Sequence, residues 1–594
     1  MLFSAGALFF FYDPVINSSV KSEFLKKYKF LDIINVLLKL FLAWESIFIT
    51  KRTNEKGGFF MSADLIISGG SVITVDKENR IAEAVAVKGN KIIYVGNQKG
   101  VEKFRSTKTK EIDLKGRSLI PGFIESHLHT AVMGINSLTI DCRPSAVHSI
   151  EDIKEAVYEK AKVTPKGEWI RGWGYNDQYL KEKRCPDRWD LDKVAPDNPV
   201  MLTRVCSHIS SHNSRSIEIA GISNTHAYSD ITFTRMNGEL SGIMKEEAHM
   251  VMCKASIPNE EEIIEGMTAA GNMLIREGIT SVHDSGGYGP AQMKAVQRAI
   301  EENRFKIRYY SMIFSFVDNL DFVDSYLKIG IRTGMGSERF RLGPIKLMID
   351  GSSSGPTAAT IKPYAIDENN YGILSHSQEL VDEYILKAHR GGWQVTSHAV
   401  GDKGVTVIVN AIENALRKEP VQDIRHRIEH CAMINDELLD RIKKLGIVPI
   451  CNPIFLYEFG DGYITNYGED MAFKMFTAKS FLDRGIIAAG ASDCPITFSD
   501  PLMGIHLAVN RKTQGGNVIN PDECISQMDA LRMFTYNGAY ASKEEDIKGS
   551  IEEGKLADLV ILNGDFIKQS PENIWDMKVD VTIIDGKIEY EREA

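Results

Sequence analysis

The chain is poor in the features that mark secreted and membrane proteins. Its eight cysteines in 594 residues include no Cys-x-x-Cys pair, which excludes a small disulfide-stapled scaffold and points to the reducing cytoplasm, with most thiols serving as small buried apolar groups. No apolar run reaches the roughly twenty residues that a bilayer-crossing helix needs, so no membrane partner is expected. Cationic excess is also missing. Lys and Arg number 70 against 80 Asp and Glu, a net charge of -10 spread along the chain, which argues against nucleic acid as a partner.

What remains is the composition of a large globular protein. With 43% hydrophobic and 25% charged residues, the chain can build a large barrel core and an accessory domain. The first sixty residues differ from the rest: aromatic and aliphatic, yet broken by Asp13, Lys21, Lys29, Asp32, Lys39 and Glu45. The stretch Glu55 to Met61 back-translates to a purine-rich run followed by a start codon, like a bacterial ribosome-binding site. Residues 1–60 are therefore expected to be a leader read as protein, with an amphipathic extension as the alternative.

From Ala63 short β-like runs appear, with a Gly89-Asn90 turn; they are matched near the other end by Leu559 to Leu562, Val581 to Ile584 and an Asp585-Gly586 hairpin turn. Neither set can bury both faces alone, so residues 61–117 and 549–594 are expected to share one β-sandwich. Between them eight apolar runs alternate with helical stretches: Ser118 to His129, Ile279 to Asp284, Ile307 to Phe314, Leu342 to Ile349, Val395 to His398, His426 to His430, Ile447 to Cys451 and Ile486 to Ser492. Amphipathic segments such as Glu379 to His389 and Asp436 to Leu445 separate them. The expected class is α/β, a (β/α)8 TIM-like barrel over residues 118–548. The gap at about 141–277 breaks the rhythm and is read as an inserted α/β segment covering the barrel mouth.

The chemistry sits at strand ends. His127 and His129 close the first run and, being two residues apart, point the same way. Paired imidazoles at the rim where barrels build active sites suit a divalent metal such as zinc. His398, His430 and Asp493 stand at the ends of three further runs and supply the remaining ligand types. Lys346 lies within an otherwise apolar strand. A buried ammonium must find a partner, here Asp350 or Glu429, or lose its charge and react with CO₂ to give a carbamate able to bridge two metals.

Several segments in order resemble the amidohydrolase superfamily, family 3 branch: PGFIESHLH at 121–129, GWGYND at 172–177, PDRWDLDKVAPDNPV at 186–200, GITSVHDSG at 278–286, KLMIDGSSSG at 346–355, SHAVGDK at 397–403, RHRIEHC at 425–431, ASDCP at 491–495 and GSIEEGKLADLVIL at 549–562. The resemblance spans about Ala63 to Tyr590. It implies one or two metal ions, with His127 and His129 on one, His398 and His430 on the other, carbamylated Lys346 bridging, and Asp493 touching metal and water. The implied reaction is hydrolysis of an amide or formamide-type C–N bond in a small molecule. The metal activates water and polarises the carbonyl, while Asp493 shuttles the proton. Trp173, Tyr175, Arg204, His208, Asn213 and His283 are expected to face substrate or to be structural, and Asp402 to orient His398. Cys431 and Cys451-Asn452-Pro453 depart from the family pattern and leave the substrate class open. A cyclic-amidine deaminase on the same fold and a non-catalytic regulatory protein are the alternatives, and a homo-oligomer is compatible with every reading.

Overall fold

A computed structural model of the protein describes residues 62–205, 209–223, 232–245 and 247–593. The expected leader, 1–60, and His208 lie outside the described residues. The chain opens with strands β1 (Leu65–Ile73), β2 (Ile81–Lys88), β3 (Lys91–Gly96), β4 (Lys110–Asp113) and β5 (Ser118–Pro121), then enters the barrel with β6 (Phe123–Leu128). The run Ser118 to His129, expected as one strand, is thus two. Gly122 is the joint: its N–H bonds to Asp558 O, and a Cβ there would lie 2.3 Å from Thr280 Oγ1. The barrel therefore begins at Phe123, and Ser118–Pro121 belongs to the accessory sheet.

Six strands intervene before the barrel resumes: β7 (Ile140–Asp141), β8 (Ile170–Tyr175), β9 (Val200–Arg204), β10 (Ile209–His212), β11 (Phe233–Met236) and β12 (Glu239–Lys245). They form their own sheet, ordered β11-β12-β10-β9-β8-β7. Helix Glu247–Ala255 follows, and the next helix, Glu260–Arg276, is not part of the insertion. Its buried Ile263, Met267, Ala270 and Leu274 join the barrel's apolar core, and Gly266 meets Gly134 of helix Thr130–Leu138 so closely that a Cβ on Gly134 would lie 1.9 Å from Gly266 O. The inserted segment closes before Glu260 rather than near 277.

The barrel continues with β13 (Ile279–Asp284), β14 (Arg308–Ile313), β15 (Phe340–Met348), β16 (Val395–Ala399), β17 (Arg427–His430), β18 (Val448–Cys451) and β19 (Ala489–Gly490). Its order is β19-β18-β17-β16-β15-β14-β13-β6, and every neighbouring pair is parallel. Backbone bonds from Asp493 N to His127 O and from His129 N to Cys494 O, both 2.8 Å, span the remaining seam. Parallel neighbours require crossovers, which the helices supply. Helix Asp436–Leu445 shows why they form: Asn435 caps it by accepting from Leu438 N, Gly446 at φ 63 ends it, and Leu438, Leu439 and Ile442 on one face are buried. Each such side chain contributes roughly 1.5–3 kcal/mol. Among the described residues no helix is long and apolar enough to cross a membrane.

The chain ends return as β20 (Leu559–Leu562), β21 (Val579–Ile584) and β22 (Lys587–Glu591). With the first strands they make one continuous sheet, β22-β21-β20-β5-β1-β2-β3, with β4 beside β1; Leu65, Val85 and Leu119 share a buried cluster with Leu559 and Val581. Arg308 of β14 fastens the barrel to this sheet. It is buried, its Nε lies 2.6 Å from Asp558 Oδ2, and Nη2 reaches Asp558 and Asp585. Replacing Arg308 by Met leaves Asp558 buried without its cation and is expected to cost about 3–5 kcal/mol, measured as a fall in the urea midpoint; an unchanged midpoint would contradict the clamp.

Candidate metal centre at the barrel rim

The residues singled out at strand ends converge. His127 lies in β6 and His129 just beyond it, Lys346 in β15, His398 in β16, His430 at the end of β17, and Asp493 three residues past β19. His127, His129, Lys346, His430 and Asp493 are buried and His398 is half-buried. Ligand atoms of His127, His430 and Asp493 all fall within 4.8 Å of one another. His129 Nε2 is 3.5 Å from Asp493 Oδ1, and the rings of His398 and His430 stand 4.5 Å apart.

Hydrogen bonds on the outer side of each ring set which nitrogen faces inward. His129 Nδ1 donates to Gly286 O at 2.7 Å, His430 Nδ1 to Asn452 Oδ1 at 3.0 Å, and His127 Nδ1 to Glu429 Oε2 at 2.5 Å. All three therefore present Nε2. His398 is reversed: its Nε2 donates to Gly351 O at 3.1 Å, leaving Nδ1 as its free lone pair. Burial depresses His129 to about 3 and His398 to about 4, and pushes His430 well down, so these rings are neutral at ordinary pH.

Asp493 makes the centre's electrostatics plain. Its Oδ1 is buried and meets only imidazole nitrogens among the described residues, His127 Nε2 at 3.2 Å and His129 Nε2 at 3.5 Å. With Glu429 holding the proton on His127 Nδ1, the His127 contact sets a lone pair against a carboxylate, and a cation must stand between them. In the metal-free protein it is a second proton: burial and Lys346 lower the His127 pKa, but Glu429 and Asp493 carry it above its ordinary value. Burial alone would raise the Asp493 carboxyl, yet His127, His430 and His129 hold it well below the carboxylate range. A carboxylate and inward-facing imidazoles are the donor set of a divalent metal, and they fit one.

Lys346 does not form the ion pair that was one of its two expected fates. Among the described residues, Asp350 and Glu429 are both engaged elsewhere. Asp350 accepts backbone N–H groups from Ala359, Val400 and Gly401, and Glu429 is held by Arg427, Thr396 and His127. Nζ of Lys346 instead sits 3.5 Å from His127 Nε2 and 4.8 Å from the centre of the Phe314 ring. Burial lowers its pKa to about 8.

Asp402 does not orient His398; it accepts Ile361 N–H and opens helix Asp402–Lys418. The carbonyl of Gly351 takes that place, accepting from His398 Nε2 at 3.1 Å, with Asp350 Oδ1 3.6 Å away. Of the expected substrate-facing residues, Tyr175 is fully buried with its hydroxyl 3.0 Å from Ser211 Oγ. Both oxygen and nitrogen of the Asn213 amide are used by backbone groups of Ala195, Asn198, Val200 and Ser216. These two side chains hold the inserted sheet together rather than joining the histidines. Arg204 pairs with Asp177 at 2.6 Å, and Trp173 is half-buried on β8. His283 is inside the barrel, its Nδ1 3.0 Å from Arg427 Nη1.

Sequence reasoning missed Glu125, Arg427, Asn452 and Phe316. Glu125 accepts N–H groups from His127 and Ser492, both at 3.0 Å, and burial raises its pKa to about 7. Its signal was its period-two spacing from His127. Phe316, 42% exposed, lays its ring 5.1 Å from that of His129 and gives the centre an apolar wall.

Comparison with known proteins agrees with this geometry. A family model described as the amidohydrolase family matches residues 110–590. The chain is 32% identical to the amidohydrolase YtcJ of Bacillus subtilis over 88% of its own length and 99% of that protein's. It is 28% identical to N-substituted formamide deformylase of Arthrobacter pascens, covering 89% and 98%. A crystal structure of an uncharacterized metal-dependent hydrolase from Pyrococcus horikoshii superposes with a TM-score of 0.74 at 25% identity, over 85% of this chain and 99% of that one. Barrel, rim cluster and matches together place this chain in the amidohydrolase family, family 3 branch, as a hydrolase.

Proposed function

We propose that the protein hydrolyses a non-peptide carbon–nitrogen bond, of amide or formamide type, in a small molecule, with divalent metal, zinc by preference, as cofactor. The observation that carries this is the buried Asp493 carboxylate, faced by the imidazole nitrogens of His127 and His129 and grouped with His430 within metal-binding reach. Similarity to a formamide deformylase supports the bond type. In this reading His127 and His129 would hold one ion, His398 through Nδ1 and His430 through Nε2 would hold a second, and Asp493 and Lys346, carbamylated on Nζ, would be further ligands. When bound, the metal supplies Lewis acidity toward the carbonyl and a lowered pKa for water.

The chain's own residues do the rest. Asp493, a carboxylate at the rim, accepts the proton that the attacking water loses and passes it to the departing nitrogen, which leaves as an amine. Phe316 and Phe314 keep one side of the centre apolar, strengthening each charge interaction within it. Trp173, Arg204, His208 and His283 are left as candidates for substrate contact.

Purified full-length protein, assayed for metals and screened against N-formyl and N-acyl amines, tests the reading. Two metals per chain and released carboxylate are expected. Asp493→Asn is expected to lower kcat by roughly 10²–10⁴-fold, and Lys346→Ala to lose metal as well as activity. Ammonia released from a cyclic amidine, with one metal unaffected by Lys346→Ala, would instead establish the deaminase.

Lys346 adds a pH signature. Its folded pKa of about 8 lies below the unfolded 10.5, so between those values only the unfolded chain holds the proton, and the metal-free protein gains stability as pH rises through that window. Lys346→Met is expected to abolish this gain in urea titrations. Reactivation of metal-free protein by zinc at fixed dissolved CO₂ is expected to speed up about tenfold per pH unit and level off near pH 8, the point where the amine becomes neutral. A pH-independent rate would rule out the carbamate.

A further inference from the structure

Inside the barrel, below the histidines, lies a buried ion pair that the proposed chemistry does not use. Arg427 and Glu429 are two residues apart on β17, share its inward face, and have no solvent exposure. The guanidinium grips the carboxylate with two arms, Nε to Oε1 at 3.0 Å and Nη2 to Oε2 at 3.1 Å. Nη2 also donates to Ser126 O on β6 at 2.8 Å, and Nη1 to His283 Nδ1 on β13 at 3.0 Å. Three barrel strands thus fix the position of one cation. The carboxylate is equally committed: Oε1 accepts from Thr396 Oγ1 on β16 at 2.6 Å, and Oε2 from His127 Nδ1 on β6 at 2.5 Å.

We propose that Arg427 is a positioning residue for the metal centre, acting through Glu429 on His127; the inference rests on the metal-centre reading above. The argument is electrostatic. A carboxylate without solvent contact can stay ionised only beside a fixed cation. Arginine suits the place because it keeps its charge and grips two oxygens in one plane, whereas a lysine offers a single point of charge. The ionised Glu429 then locks the proton on His127 Nδ1, turns Nε2 toward Asp493, and makes that nitrogen a more basic ligand. The barrel interior ordinarily carries layers of branched aliphatic side chains. Here a polar network occupies it, and among the described residues it reaches the rim through His127.

Zinc affinity by chelator competition tests the proposal on wild type, Glu429→Gln, Arg427→Met, Arg427→Lys and the double variant Arg427→Met/Glu429→Gln, with thermal unfolding as the folding control. Glu429→Gln and Arg427→Met are each expected to weaken zinc binding 10–100-fold, with KM for the amide unchanged at saturating zinc. Arg427→Lys, which keeps the charge and loses the fork, is expected between them and wild type. Because Arg427 acts through Glu429, the double variant is expected to bind zinc no more weakly than Glu429→Gln alone. This comparison stands even where Arg427→Met fails to fold, since the double variant leaves no buried charge unpaired. Additive losses in the double variant, or wild-type zinc affinity in a folded Arg427→Met or in Glu429→Gln, would overturn the proposal. A wild-type protein that binds no zinc would overturn the metal-centre reading itself.

Discussion

His127 stands between two buried carboxylates, Glu429 on one side at 2.5 Å and Asp493 on the other at 3.2 Å. Burying two negative charges this close costs far more than any single packing defect unless cations are held with them. The arrangement around them meets that demand in two ways. Below, Arg427 is spent on Glu429. Above, among the described residues, Asp493 has no permanent cation: Lys346 is directed at His127 and Phe314, His129 and His430 are neutral imidazoles, and the charge it meets in the metal-free protein is the second proton of His127. A divalent metal would take the place of that proton between His127 and Asp493.

The fold brings the groups together by two devices. Parallel strands put every C-terminal end on one rim, so side chains from β6, β15, β16 and β17 and from the loop after β19 meet although the sequence separates them by hundreds of residues. The second device is local strain. His430 and Asp493 adopt left-handed backbone, φ 68 and 62, which costs on the order of 1–3 kcal/mol each for residues other than glycine. At His430 this breaks the strict alternation of the strand. Glu429 and His430, though adjacent, both reach His127, one by hydrogen bond and the other with its ring 4.9 Å away.

Much of this was legible in the residues. Eight apolar runs gave eight barrel strands, Ile279–Asp284 to the residue, because buried parallel strands read as continuous β-rich segments. The histidines, Lys346 and Asp493 stood out as polar groups at or within such segments. What failed to show were features set by tertiary contacts. The break at Gly122 depends on Thr280 and Asp558. Helix Glu260–Arg276 looks from its sequence like the tail of the insertion, yet it packs on the barrel. Asp402 is the nearer candidate for His398 in sequence, whereas the Gly351 carbonyl reaches it from the neighbouring strand's end. Arg427 and Glu429 could have been noticed from their i, i+2 spacing, but nothing in the sequence says that Glu429 serves His127 rather than Lys346.

The proposed metal pair, with Lys346 carbamylated between its ions, is tested most directly by anomalous diffraction at the zinc edge from crystals grown with zinc and bicarbonate. The account predicts two peaks, one beside His127 and His129 and one beside His398 and His430, with added density on Lys346 Nζ between them. Zinc bound elsewhere, or an unmodified Lys346 paired with Asp493 and no metal between the histidines, would contradict it.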